Sequence, residues 1–80
     1  MPTVLRENGF QVIIWTNDHL PIHVHIFKGD GELVVVLGNN EADISIRNNY
    51  NMRGTDLRQA LRLVNRNHRL LLEKWREIDG

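Results

Sequence analysis

Three of the chain's four histidines fall within seven positions of the stretch NDHLPIHVHIFKGDGE, residues 17–32. On an extended backbone His23 and His25 share one face, with Cα atoms roughly 6.5–7 Å apart, close enough for both rings to hold one ion or flank one substrate. His19 precedes them across a turn marked by Pro21, which fixes φ and removes a backbone donor, so it can reach the same side. Three neutral imidazoles make a workable catalytic zinc set with water in the fourth position. Asp18 or Glu32 could supply a ligand in place of one ring, or orient a ring. The other chemistry is proton transfer. Histidine titrates near neutrality, and a neighbouring pair can serve as general base and general acid. A metal-free ribonuclease needs such a pair together with a cation facing the phosphate, a role open to Lys28 or an arginine. The plain alternative is that these are polar residues on the outer face of a half-exposed strand. His68, between Asn67 and Arg69, reads as a surface or boundary residue of a helix.

A second set of residues could carry a binding function. Arg58, Arg62, Arg66 and Arg69 follow at i, i+4, i+8 and i+11, and Arg76 extends the row by seven. On a helix they share a face. Guanidinium groups suit phosphate or carboxylate, so the row fits an RNA backbone or an acidic partner protein, or else a solvated helix surface. No Phe, Tyr or Trp stands between Arg58 and Arg69, which weakens any case for single-strand base recognition by the row.

The elements that must position these residues follow from periodicity and turn chemistry. Strands are expected at about 3–6, 10–15, 22–28, 32–37 and 42–47, separated by Glu7-Asn8-Gly9, Gly29-Asp30-Gly31 and Gly38-Asn39-Asn40-Glu41. In the histidine strand Ile22, Val24 and Ile26 point one way, and His23, His25 and Phe27 the other. In the fifth strand Ile44 and Ile46 alternate with Asp43, Ser45 and Arg47. NNYNMRG at 48–54 reads as a polar loop, after which Thr55 caps a helix with Asp56 in its first turn. Leu57, Leu61, Val64, Leu71, Trp75 and Ile78 give an apolar stripe, and the helix runs to about Ile78.

The expected fold is therefore a single α+β domain: a small, mostly antiparallel sheet of four to five strands with one long C-terminal α-helix packed on one face. One helix covers one face only. Ile13, Trp15, Val34 and Val36 are apolar on the other, which predicts a covering chain, a homodimer mate or a small cognate protein. Eighty residues also lie near the lower limit for an unassisted core.

Composition narrows the function classes. Ten basic and ten acidic residues give a net charge of zero, with no global pull toward nucleic acid or membrane. The halves differ: residues 1–46 carry two basic and six acidic side chains, residues 47–80 eight and four, so the C-terminal part suits an anionic surface. The absence of cysteine excludes disulfides, thiolate nucleophiles and cysteine-containing zinc sites. No signal-like N-terminus or membrane-length apolar run is present, so a cytoplasmic protein without membrane contact is expected.

The opening MPTV with RENGF, the NDHLPIHVHIFKGDGE run and the helix LRQALRLVNRNHRLLLEKWREI together closely resemble the small bacterial domain of unknown function numbered 4160. The resemblance covers essentially the whole chain, and the Asn-Asp-His, Pro, His-x-His and Lys-Gly run with Trp75 is its specific part. It singles out His19, His23, His25 and Lys28, and implies a short stand-alone protein often encoded beside another small domain, in the manner of toxin–antitoxin pairs. The segment ELVVVLGNNEADISI is more apolar than that family suggests. Three expectations result: a toxin–antitoxin-type component acting through a partner or RNA, with His19, His23, His25 and Lys28 as active or contact residues; a module binding zinc, nickel or a similar ion through His19, His23 and His25; and a non-catalytic dimeric interaction domain.

Overall fold

The structure is a computed structural model that describes residues 3–15 and 19–79. Asn8 and Gly9 take φ of 52° and 83°, the left-handed values a two-residue hairpin requires, and fold β1 (Thr3–Glu7) onto β2 (Phe10–Ile13). The chain continues through β3 (His23–Lys28) and β4 (Gly31–Val36) to β5 (Ser45–Tyr50). All neighbours pair antiparallel, in the order β1-β2-β3-β4-β5. Two helices follow, α1 (Gly54–Arg66) and α2 (His68–Asp79).

The α+β plan and the five strands agree with the sequence reading, but two elements differ. The fifth strand begins at Ser45 rather than 42 and runs on to Tyr50, into the expected loop. Its start is delayed because the Asn40 side chain accepts the Ala42 N–H at 3.1 Å and caps a single 3-10 turn, Glu41–Asp43. The expected single helix over 55–78 is two helices. Asn67 separates them, with φ −110° and ψ 18°, and its side-chain amide donates at 2.9 Å to the Leu63 carbonyl that its own N–H also uses. An amide that competes for the helix's own carbonyls breaks the regular path. The helix start also moves: Gly54, at φ 59°, turns the chain one residue early, and the Thr55 hydroxyl accepts from Arg58 Nη2 instead of capping.

One sheet face meets the helices. Val12, Ile14, Val24, Ile26, Leu33, Val35 and Leu37 are inaccessible to solvent there, against Ala60, Leu63, Val64, Leu71 and Trp75 from the helices. His68 is buried at the same junction, where its Nε2–H donates to the Leu37 carbonyl at 2.8 Å. A carbonyl can only accept, so this ring has a structural partner. Among the described residues no helix is long and apolar enough to cross a membrane.

The opposite face is less open than the sequence suggests. Ile13 and Val34 are only 3% and 5% exposed in the single chain, and Trp15 and Val36 are half-buried.

Candidate functional site: a histidine cleft on the open face of the sheet

Alternation along β3 sends His23, His25 and Phe27 to the face away from α1, as the sequence predicts. His25 lies opposite Ile13 on β2 and Val34 on β4, in the middle of the sheet. His23, at the start of the strand, is buried. Its ring centroid lies 5.3 Å from that of His25 and 5.4 Å from that of Trp75, whose helix reaches the end of the sheet. Trp15 meets His25 edge-on at 6.2 Å.

Both rings are oriented through Nδ1. His23 Nδ1–H donates to the Pro21 carbonyl at 2.7 Å, and His25 Nδ1–H to Glu32 Oε2 at 3.1 Å. Each acceptor is an oxygen without a proton to give, so the proton resides on Nδ1, and the neutral ring carries its lone pair on Nε2.

These groups border a cleft of about 440 Å³ lined by His19, His23, His25, Glu32, Val34, Arg47, Asn48 and Tyr50. His19 is exposed and belongs to this cleft, so the three clustered histidines do come together around one space. Asp18, the carboxylate considered beside them, lies outside the described residues. Glu32 is inside, as the partner of His25.

Lys28 is elsewhere. It follows Val24 and Ile26 in the alternation, so it emerges on the helix side, where Nζ pairs with Asp56 Oδ1 at 3.2 Å and sits 4.5 Å from the centre of the Phe10 ring. The cation of the cleft is Arg47. A β-bulge brings it there with its neighbours: Val34 pairs with Asn48 and Val35 with Ile46, leaving Arg47 as the extra residue. Without that insertion Asn48 and Tyr50 would fall on the helix side. With it, Asn48 faces Val34, Tyr50 faces Glu32, and both join Arg47 at the cleft. The sequence reading missed Asn48 and Tyr50 as site residues because the asparagine-rich run NNYNMRG, ending in a glycine, looks like a loop, and a bulge leaves little mark in a period-two pattern.

The arginine row is divided between two other places. Arg58, Arg62 and Arg66 lie exposed on α1. Arg62 and Arg66 border a cleft beside the β1–β2 turn, where Arg66 pairs with Glu7. Arg69 and Arg76 on α2 border a cleft of about 570 Å³ that also contains Glu41 and Glu73. Arg66 is thus paired with a carboxylate of its own chain, and Arg69 and Arg76 share their cleft with two more.

Fold and site together define a small α+β protein whose sheet holds, on the face away from α1, a histidine pair oriented by a carbonyl and a carboxylate. Residues 9–76 match the family model described as a domain of unknown function, DUF4160, and the chain belongs to that family. No curated protein and no solved structure gives a significant match.

Proposed function

We propose that this protein is a component of toxin–antitoxin type whose histidine cleft binds and cleaves the phosphodiester backbone of RNA. The observation that carries this reading is the His25–Glu32 pair, 3.1 Å apart, in a cleft that also holds Arg47. Glu32 fixes the Nδ1 proton of His25 and directs its lone pair to Nε2, a buried atom that substrate entry must uncover before it accepts the proton of a ribose 2′-hydroxyl. The 2′-oxygen then bonds to the adjacent phosphorus and the P–O5′ bond breaks. His19, as imidazolium, gives its proton to the departing 5′-oxygen. The products are a 2′,3′-cyclic phosphate and a 5′-hydroxyl, and solvent exchange restores both imidazoles. Arg47 meets the charge that grows on the phosphoryl oxygens.

His23 has a different part. At 5% exposure, packed on Trp75 and tied to the Pro21 carbonyl, it is a positioning residue for His25 rather than a proton donor. The partner this reading expects is a small cognate protein that covers the cleft. A homodimer mate would compete for the same face, and light scattering distinguishes the two.

The test is incubation of mixed cellular RNA with protein freed of any partner and of contaminating nucleases. Fragments ending in cyclic phosphate are expected from the native chain and are absent with His25→Ala. RNA left intact by the native chain sinks the nuclease.

A second reading, metal binding, is favoured by the anchoring of both rings through Nδ1, the arrangement metal-ligating histidines usually adopt. His19, His23 and His25 are its donors through ring nitrogens. Among the described residues no three His, Asp or Glu side chains stand close enough together to hold an ion, so this reading needs a rearrangement or a further ligand. Zinc or nickel analysis of untagged protein, with the thermal shift on adding the ion, decides it. A stoichiometric ion lost in His23→Ala and His25→Ala supports it, and no ion with no shift removes it.

A further inference from the structure

We propose that β5 supplies a base-reading rim to the histidine cleft, and that the ligand is single-stranded RNA with one base stacked on Tyr50 and the neighbouring phosphate on Arg47. The inference deepens the phosphodiester reading of the cleft and rests on it for the place of the phosphate.

Tyr50 is 55% exposed, and among the large hydrophobic side chains of the described residues only Leu20 is more open. Its position gives that exposure a use. It stands opposite Glu32, the residue that orients His25, and it borders the same cleft. Asn48, two residues back on the same face, is opposite Val34, which is itself opposite His25. With neighbouring strands 4.7–4.9 Å apart, the backbones of His25 and Asn48 are roughly 10 Å from each other. The stretch between histidine and tyrosine thus contains a cation, an amide able to donate and accept at a base edge, and an aromatic face.

The rim is also held in place. The Asn49 amide donates to the Met52 carbonyl at 2.8 Å and accepts the Met52 N–H at 3.0 Å, and Met52 is buried in the core. The residues on either side of Tyr50 are therefore pinned by this closure and by pairing to β4, so stacking a base would order little more than the ring itself. From Ser45 to Gly54 the sequence has Arg47 and Arg53 and no carboxylate, which suits a polyanion. The helical arginines lack this combination. No Phe, Tyr or Trp stands between Arg58 and Arg69 in the sequence, and Arg66 is already paired with Glu7. An unpaired base is required, because a base inside a duplex has no face to offer the ring.

The experiment uses fluorescein-labelled 2′-O-methyl RNA twelve nucleotides long, which has no 2′-hydroxyl to react. Fluorescence anisotropy compares it with an oligomer carrying abasic positions and with the annealed duplex. The native chain should bind the single strand in preference to the duplex. Tyr50→Ala should weaken that binding roughly tenfold, while Tyr50→Trp keeps it, in line with the usual worth of one stacked base. Abasic substitution should weaken the native chain and leave Tyr50→Ala unaffected. Equal affinities of Tyr50→Ala and the native chain, or equal affinities for the abasic and intact oligomers, overturn the proposal, and so does the absence of any binding. The two readings separate cleanly. Tyr50-dependent binding in a protein that leaves ordinary RNA intact supports the rim and ends the nuclease, whereas cleavage with an unchanged KM in Tyr50→Ala ends the rim and leaves the nuclease.

Discussion

The two faces of the sheet are made by the same strands, with residues alternating from one to the other, yet they answer to different physics. On the helix side Val12, Ile14, Val24, Ile26, Leu33 and Val35 are sealed from solvent, and the buried histidine of that region, His68, is closed onto a backbone carbonyl. On the other side His23 and His25 occupy the corresponding alternate positions of β3, oriented by a carbonyl and a carboxylate and bordering a solvent-connected cleft. A domain this small has one core, and it is built almost wholly from one face and the helices. The second face buries Ile13 and Val34 but contributes less to that core, and it can hold polar groups in fixed orientations.

If that division holds, substitutions should separate by face. His25→Ala should lower RNA cleavage by about 10²- to 10⁴-fold, the usual worth of a positioned base, while costing only about 1 kcal/mol of stability. Initial rates on a defined oligoribonucleotide and a urea titration of the same preparation measure the two quantities. Leu33→Ala, two positions along from Val35 on the helix side, should do the reverse: a loss of about 2–5 kcal/mol in the titration, enough to unfold much of an 80-residue domain. Activity per folded molecule should stay near that of the native chain. Comparable destabilisation by the two substitutions would mean that the histidine face is core as well.

His68→Ala sharpens the contrast between the two kinds of histidine. It leaves the Leu37 carbonyl buried without its donor, at a cost of about 1–3 kcal/mol. Cleavage by the folded fraction should not change, since His68 touches the backbone beyond β4 and nothing in the histidine cleft. A change in activity larger than the loss of folded protein, read from kcat with the folded fraction set by circular dichroism, would connect the two sites.

What could be read in the sequence follows the same division. Strong periodicity was legible: the Val24-Ile26 and His23-His25 alternation, the hairpin at Asn8-Gly9 and the apolar stripe through Leu71 and Trp75 all lie where their spacing puts them. Features made by a single side chain acting on the backbone were not. Asn67 divides the helix by bonding to Leu63, and Asn40 delays β5 by capping a short turn. Both asparagines are ordinary polar residues until the competing carbonyl or N–H is in place. The bulge at Arg47 is a pairing event between two strands, so no window of one strand reports it. As a result His19, His23, His25 and Glu32 could be named from the sequence, but Arg47, Asn48 and Tyr50 could not be joined to them.

Lys28 provides the smallest and most discriminating prediction. It is two residues beyond Ile26, and the motif around it invites assignment to the histidines, yet the alternation that sets His25 on one face sends Lys28 to the other. Its contacts are Asp56, half-exposed at the start of α1, and the face of the Phe10 ring. A partly exposed ion pair and cation–π contact together are worth at most about 2 kcal/mol. Lys28→Ala should therefore move the unfolding midpoint slightly and leave cleavage and oligonucleotide binding as they are, whereas Arg47→Ala should depress cleavage by about a hundredfold. The decisive readout is the ratio of the two effects on kcat/KM. If Lys28→Ala is the more damaging, the cation that faces the phosphate comes from the helix side, and the cleft is not where the chemistry occurs.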